Sequence, residues 1–132
     1  MYFYQAYAHY PWKLLLKSGT EGVATSNYGR NLMKEMMLVY DGNQHRYAQI
    51  AGHGFRILAE AMEKDLLYEI KCPSMLICGT KDHAGSCIRY NREWHRKMEI
   101  PLKWIEGAGH NSNTDKLEMI NSLLEEFFSN IL

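Results

Sequence analysis

The pattern of apolar and polar residues divides the chain into a helical first part and a second part in which strands and helices alternate. Apolar positions in the first part recur three and four residues apart, the spacing of a helix face. From Tyr68 onward, two short strand-like runs, Met75–Cys78 and Leu102–Glu106, are each followed by a helical pattern. This order predicts an α/β fold with two parallel strands and no internal repeat.

The start of the chain, from Met1 to about Leu16, is unusually aromatic. Four residues recur there at helical spacing, although Pro11 interrupts them: Phe3, Tyr7, Tyr10 and Leu14. A segment this short cannot bury its own aromatic side chains, so they need another apolar surface to pack against. We expect a helix packed on the rest of the fold, and the alternative is a lid that contacts a ligand.

A second helix is predicted from Ser26 or Asn27 to Tyr40, after Gly19 and Gly22. Its apolar face consists of Leu32, Met33, Met36, Met37 and Tyr40. Core packing is the favoured interpretation of the methionines, and the alternative is the adaptable wall of a pocket.

A third helix is predicted from about Gln44 to Lys64. One side of it carries Tyr47, Ile50, Ala51, Phe55, Leu58, Ala59 and Met62. Because a glycine costs about 1 kcal/mol relative to alanine inside a helix, Gly52 and Gly54 predict a bend or break around His53.

The second part of the chain predicts a β-α-β-α unit. The strands of this unit are followed by helices over Ser86–Met98 and from Asp115 to about Ile131. The last helix has a clear apolar stripe, formed by Leu117, Ile120, Leu124, Phe127 and Ile131. Asp115 is expected in its first turn, where a carboxylate complements the positive end of the helix dipole.

The two strand-end motifs hold the candidate catalytic residues. Gly79-Thr80-Lys81-Asp82 follows the first strand, and Gly107-Ala108-Gly109-His110 follows the second. A right-handed crossover would bring both loops to one edge of the sheet. There Asp82 can orient His110, which suits an imidazole that acts as a general base. The alternative for His110 alone is an ordinary loop histidine, and an exposed loop position is also favoured for His83.

The stretch from Ile70 to Leu132 resembles the C-terminal part of an α/β-hydrolase. The matching pieces are Ile70-Lys71-Cys72-Pro73 before a strand, the two strand-end motifs, and a closing amphipathic helix. The resemblance implies that Asp82 is the triad acid and His110 the general base, acting on an ester, amide or related acyl bond of a small-molecule substrate. It also implies a lid-like helical segment over residues 1–67 and a C-terminal hydrolase portion over residues 68–132.

One motif of that family is absent, because no serine lies in a Gly-x-Ser-x-Gly elbow. We therefore expect the chain to be inactive alone, with the nucleophile supplied by a longer parent protein or another chain. The alternative is a non-catalytic remnant that binds a partner or ligand through exposed apolar surface. A two-stranded sheet is marginal alone, so a homodimer or a complementing hydrolase portion is expected.

Composition narrows the remaining classes. The 15 basic and 15 acidic residues cancel, which argues against binding nucleic acid. Three cysteines without a CxxC pair or a leader segment predict reduced thiols and a cytoplasmic location, with Cys78 in the core. The dispersed histidines predict no metal site or cofactor, and no apolar run approaches membrane-spanning length.

Overall fold

The computed structural model describes residues 2–64 and 70–131, with side chains from residue 6 onward, as seven helices and a two-stranded parallel sheet. The helices of the first part are α1 (Tyr2–His9), α2 (Trp12–Glu21), α3 (Asn27–Leu38) and α4 (Gln44–Glu63). The second part contains β1 (Leu76–Gly79), α5 (Cys87–Met98), β2 (Leu102–Ile105), α6 (Ser112–Asp115) and α7 (Leu117–Ser129). The predicted α/β class is confirmed. The predicted boundary between residues 67 and 68 lies outside the described residues.

The aromatic N-terminal stretch forms two helices, because α1 ends at His9 and Pro11 occupies the N-cap of α2. The α2 helix continues through Gly19 to Glu21, beyond the end that the sequence predicts. Gly19 packs closely against α3, since a Cβ atom at this position would lie 2.6 Å from Sδ of Met37. The predicted stripe is wrong for Tyr10 and Leu14, which are exposed, and the side chain of Phe3 lies outside the described part.

The helices α1 and α2 pack against α4 through a cluster of aromatic rings. Tyr47 in α4 makes edge contacts with Tyr7, Trp12 and Tyr40, at centroid distances of 5.6 to 6.0 Å. Tyr7 also stacks on Phe55, at 6.0 Å. Tyr47 and Phe55 lie on either side of the two helix glycines, so the contacts of Tyr7 span the position of the predicted break. The predicted break does not occur, because α4 is one continuous helix of 20 residues.

The apolar faces of α3 and α4 are only partly covered. In α3, the Ser26 side chain caps the helix by accepting a hydrogen bond from Gly29 N at 2.9 Å, and Met37 is buried. Met36, predicted on the same face, is exposed because α2 covers only the side of α3 that carries Met37. In α4 the predicted apolar side is likewise largely in solvent, as shown by Ile50, Leu58 and Met62.

The sheet and α7 enclose the core of the second part. The strands β1 and β2 are parallel, with Leu76 opposite Leu102 and Gly79 opposite Ile105. Ile105, Ala108 and Ile120 are buried together, and Ile77 and Leu123 pack against them. Of the predicted α7 stripe, Ile120 is buried whereas Leu117, Leu124 and Ile131 are exposed, so the stripe is only partly covered.

Two expectations drawn from composition can be compared with the fold. The three cysteines are free, and Cys78 is buried at 3% exposure, as predicted for a core residue. Within residues 2–64 and 70–131, none of the helices combines the length and the apolar content needed to cross a bilayer.

Candidate active site

The two strand-end loops are bound to each other by hydrogen bonds. Thr80 N donates to Ile105 O at 3.0 Å, and Lys81 N donates to Ala108 O at 2.9 Å. In the opposite direction, Gly107 N donates to the Thr80 hydroxyl at 2.9 Å. These bonds extend the parallel pairing beyond the strands, so each loop leaves the sheet in a fixed direction.

Two glycines make this close approach possible. A Cβ atom on Gly79 would overlap the carbonyl oxygens of Ala108 and Gly109, so the first loop has no room for a side chain there. Gly107 has φ of 74°, in the left-handed region that glycine adopts without steric cost. The glycines that identified the motifs in the sequence therefore have a geometric function, which is to bring the two loops together.

Asp82 and His110 meet at this edge of the sheet. Nδ1 of His110 lies 3.0 Å from Oδ2 of Asp82, and Oδ1 of Asp82 accepts a hydrogen bond from Ala84 N at 2.9 Å. The Asp82 side chain is only 6% exposed, whereas that of His110 is 44% exposed. The predicted approach of the two residues is confirmed, and the carboxylate is buried behind a ring that reaches solvent.

This arrangement fixes the proton on the imidazole. An ionised carboxylate can only accept a hydrogen bond, so the bond to Asp82 requires the hydrogen to be on Nδ1 of His110. The lone pair of the neutral ring is then on Nε2, where it can accept a proton from another group. An imidazole held in this tautomer by a buried carboxylate is the form that a general base requires.

Cys87 is a third chemically active group that sequence reasoning did not connect to the pair. It begins α5, and its sulfur, one carboxylate oxygen of Asp82 and one ring nitrogen of His110 all lie within 4.8 Å of one another. Burial, together with the negative charge of Asp82, raises the pKa of the Cys87 thiol. The thiol is therefore protonated at neutral pH, which disfavours Cys87 as a nucleophile.

Asp115 fixes the position of the loop that carries His110 by accepting a hydrogen bond from it. The loop residue Gly109 donates its N–H to Oδ2 of Asp115 at 2.8 Å. The same carboxylate accepts hydrogen bonds from the backbone N–H groups of Thr25 and Ser26, at 2.8 to 3.0 Å, and from the Thr25 hydroxyl at 3.0 Å. Asp115 therefore links the chain before α3 to the loop that carries His110.

The charge of Asp115 is strongly favoured in the fold. Burial alone would raise its pKa, but hydrogen bonds from the backbone N–H groups of Ser26, Gly109 and Thr25 outweigh this and lower the pKa to about 2. The predicted role of Asp115 in the first turn of the last helix is wrong, because the residue ends α6 and α7 begins at Leu117. Two of its N–H donors, Thr25 and Ser26, lie some 90 residues away in sequence, which explains why periodicity did not reveal them.

Two further histidines belong to this part of the chain. His83 is exposed, as expected for a loop position next to Asp82. His95 in α5 contacts the backbone carbonyl of Ile100 through Nδ1 at 2.8 Å, so it belongs to the end of that helix. The sequence-predicted catalytic pair is thus brought together without these two histidines.

Comparisons of this chain with protein-family models, with curated proteins and with solved structures found no match. The resemblance to an α/β-hydrolase therefore depends on the two strand-end motifs and on the geometry of the residues within them. The catalytic roles of Asp82 and His110 stay predictions.

Proposed function

We propose that this chain provides the acid and the general base of a hydrolase with α/β-hydrolase architecture, which acts on an ester, amide or related acyl bond. The observation that carries the proposal is the 3.0 Å contact between Nδ1 of His110 and the buried carboxylate of Asp82, at the edge of a parallel sheet. The β-α-β-α unit corresponds to the last two strands and helices of such an enzyme, and α1 to α4 correspond to a lid.

The chemistry follows from the orientation of the ring. Nε2 of His110 would take the proton of an attacking hydroxyl while Asp82 stabilises the imidazolium that forms. The same proton would then pass to the leaving group as the tetrahedral intermediate collapses. A nucleophile and oxyanion donors complete this reaction, and under the proposal a complementing hydrolase portion supplies them.

A second candidate function is binding of a partner or ligand by a non-catalytic chain. It is favoured by the exposed apolar side chains of the second half of α4, where Leu58 is 56% and Met62 is 61% exposed. Apolar patches of this kind mark interaction surfaces more often than isolated exposed residues do. Under this candidate, the surface would pair with a second copy of the chain or with a complementing portion.

The proposal is tested with a fluorophosphonate probe and p-nitrophenyl esters, using the chain alone and the chain together with a hydrolase portion that carries the Gly-x-Ser-x-Gly elbow. The chain alone is expected to remain unlabelled, because general acid-base assistance of about 10² to 10⁴ in rate needs a positioned nucleophile. The complemented protein is expected to be labelled at the elbow serine and to hydrolyse the ester.

Variants of the complemented protein distinguish the two candidate functions. His110→Ala should reduce turnover by about 10³-fold or more, whereas His83→Ala, a change to the exposed neighbour of Asp82, should leave it near the original value. Complemented turnover that is unaffected by His110→Ala would contradict the proposal. Covalent labelling of a serine in the chain alone would show that the nucleophile is present after all and would exclude the non-catalytic candidate.

A further inference from the structure

The three donor atoms at the edge of the sheet have the chemistry of a metal site. They are a carboxylate oxygen of Asp82, a ring nitrogen of His110 and the sulfur of Cys87, all within 4.8 Å of one another. We propose that these three residues bind a thiophilic divalent cation, with Zn²⁺ as the preferred ion, and that the bound ion blocks the acid-base function of His110. The proposed site depends only on this cluster, whereas the effect of the ion on His110 rests on the proposed hydrolase function.

The separations suit a tetrahedral ion after small side-chain movements. Zn²⁺ bonds of about 2.0 to 2.3 Å place neighbouring ligand atoms about 3.3 to 3.8 Å apart. Oδ2 of Asp82 and Nδ1 of His110, which now share a hydrogen, are 3.0 Å apart and so slightly closer than two ligands of one ion. The three donor atoms, one from each residue, all lie within 4.8 Å of one another. Shifts of up to about 1 to 1.5 Å therefore bring three ligands onto one ion, and water can fill the fourth position.

The ligand set selects the type of ion. Thiolate and imidazole ligands favour Zn²⁺ over Mg²⁺ and Ca²⁺, which take oxygen ligands. Binding displaces the proton of the Cys87 thiol, so the thiolate and the Asp82 carboxylate together balance the charge of a divalent cation. The remaining oxygen of Asp82 accepts the N–H of Ala84 at 2.9 Å, a contact of the kind that orients a metal-binding carboxylate.

The exposure of the three residues provides a route for the ion. Asp82 is buried, Cys87 is half-buried, and the ring of His110 reaches solvent. For Nδ1 of His110 to bind the ion, its hydrogen must leave this nitrogen, and the neutral ring then carries its hydrogen on Nε2, which has no lone pair left to accept a proton. Occupation of the site and general-base action by His110 therefore exclude each other.

The first experiment titrates the reduced chain with Zn²⁺ and with Co²⁺. We expect one ion per chain, together with the thiolate-to-cobalt charge-transfer absorption that reports a cysteine ligand. Cys87→Ser should weaken binding by about tenfold or more and abolish that absorption. Cys72→Ser is the matched control because Cys72 is an exposed thiol outside the cluster, and it should leave both unchanged. Equal binding by the Cys87→Ser variant and the parent chain would overturn the proposal.

A second measurement uses the unaltered chain and so does not depend on how a variant folds. N-ethylmaleimide alkylation of Cys87 and Cys72 is followed by mass spectrometry, with and without Zn²⁺. We expect Zn²⁺ to slow the alkylation of Cys87 by about tenfold or more while Cys72 reacts at its original rate. Alkylation of Cys87 that Zn²⁺ does not slow, or equal slowing at both thiols, would contradict the site. Mg²⁺ at the same concentration should have no effect.

Discussion

The strand-end loops of the second part and the α4 helix of the first part differ in how the surrounding fold constrains them. The loops are held by hydrogen bonds between Thr80, Lys81 and the β2 loop, and by the Asp115 carboxylate. By contrast, the second half of α4 exposes Ile57, Leu58 and Met62 to solvent. Both regions contain glycines, but Gly79 of the loops has no room for a Cβ atom, whereas a Cβ atom on Gly54 of α4 would meet nothing within 4 Å.

The difference indicates where a substitution will affect the fold. Close backbone packing and buried charge make the loops intolerant of small changes, whereas an exposed helix tolerates them. If the loops exist to hold Asp82 and His110 in place, their residues should dominate the stability of the second part. The following changes compare the two regions directly.

The largest effect is expected from Gly79→Ala. The added Cβ would overlap the carbonyl oxygens of Ala108 and Gly109, so the two loops must separate, at a cost of about 3 kcal/mol or more in unfolding free energy. Urea unfolding followed by circular dichroism measures this change.

The matched control is Gly54→Ala in α4, where an added Cβ would meet nothing within 4 Å. Alanine favours a helix over glycine, so this variant should gain about 0.5 to 1 kcal/mol. Similar effects of the two substitutions would show that the loops are not the constrained region.

Asp115→Asn tests the hydrogen bonds behind the His110 loop. The amide lacks the charge and one of the acceptor oxygens that now receive N–H groups from Thr25, Ser26 and Gly109. We expect a loss of about 2 to 3 kcal/mol in unfolding free energy. Glu118→Gln, an exposed change in the first turn of α7, should stay within about 0.5 kcal/mol.

The low pKa of Asp115 also predicts how stability depends on pH. Its pKa is lowered from 3.8 to about 2, so its contribution is present above the unfolded value and is lost as the pH falls through about 2. With allowance for solvent screening, the stability advantage of the parent chain over Asp115→Asn should shrink by about 1 to 2 kcal/mol between pH 5 and pH 2. Unfolding curves of both proteins at matched pH give this difference, and a constant difference would contradict the assigned pKa.

The sequence predicted well those features that depend on neighbouring residues. The glycine-rich ends of the two strands indicated sharp turns, and the single crossover between them placed Asp82 beside His110. The start of α3, predicted at Ser26 or Asn27, follows from a local contact, because the capping side chain of Ser26 reaches only to Gly29. In these cases the deciding interactions lie within a few residues or follow from one right-handed connection.

Features decided by distant contacts were not predicted. The glycines of α4 suggested a break, which the contacts of Tyr7 with Tyr47 and Phe55 override. The sequence pattern predicts that Asp115 complements a helix dipole, whereas its partners Thr25 and Ser26 lie some 90 residues away. Helical periodicity also assigned one apolar side to α4 without showing how much of that side a neighbour covers.

Cys87 shows the same limit at the candidate site. In the sequence it is one of three unpaired cysteines, and it is five residues after Asp82. The sequence contains one signal for this contact. Cys87 lies at the start of the helix that follows the strand-end residue Asp82, and the start of that helix is therefore near the edge of the sheet where the strand ends. Cys87 approaches His110 only because β1 pairs with β2, and this pairing cannot be read from the residues around Cys87 alone.

A smaller contrast is expected for two isoleucines that undergo the same change. Ile105→Val removes a methyl group from a residue that is 0% exposed, and it should cost about 1 kcal/mol in unfolding free energy. Ile57→Val in α4 removes it from a side chain that is 50% exposed, with an expected cost below about 0.5 kcal/mol. Thermal or urea unfolding distinguishes the two values, and equal costs would mean that α4 is covered in solution.

The tautomer of His110 tests the central claim that Asp82 prepares this ring for acid-base chemistry. Long-range ¹H–¹⁵N NMR at alkaline pH identifies which ring nitrogen of a neutral histidine carries the hydrogen. We predict that His110 is protonated at Nδ1 in the parent chain, because the Asp82 carboxylate accepts that hydrogen, and that Asp82→Ala removes this preference while His83 remains unchanged. A hydrogen on Nε2 of His110 in the parent chain, with the same spectrum in Asp82→Ala, would contradict the account.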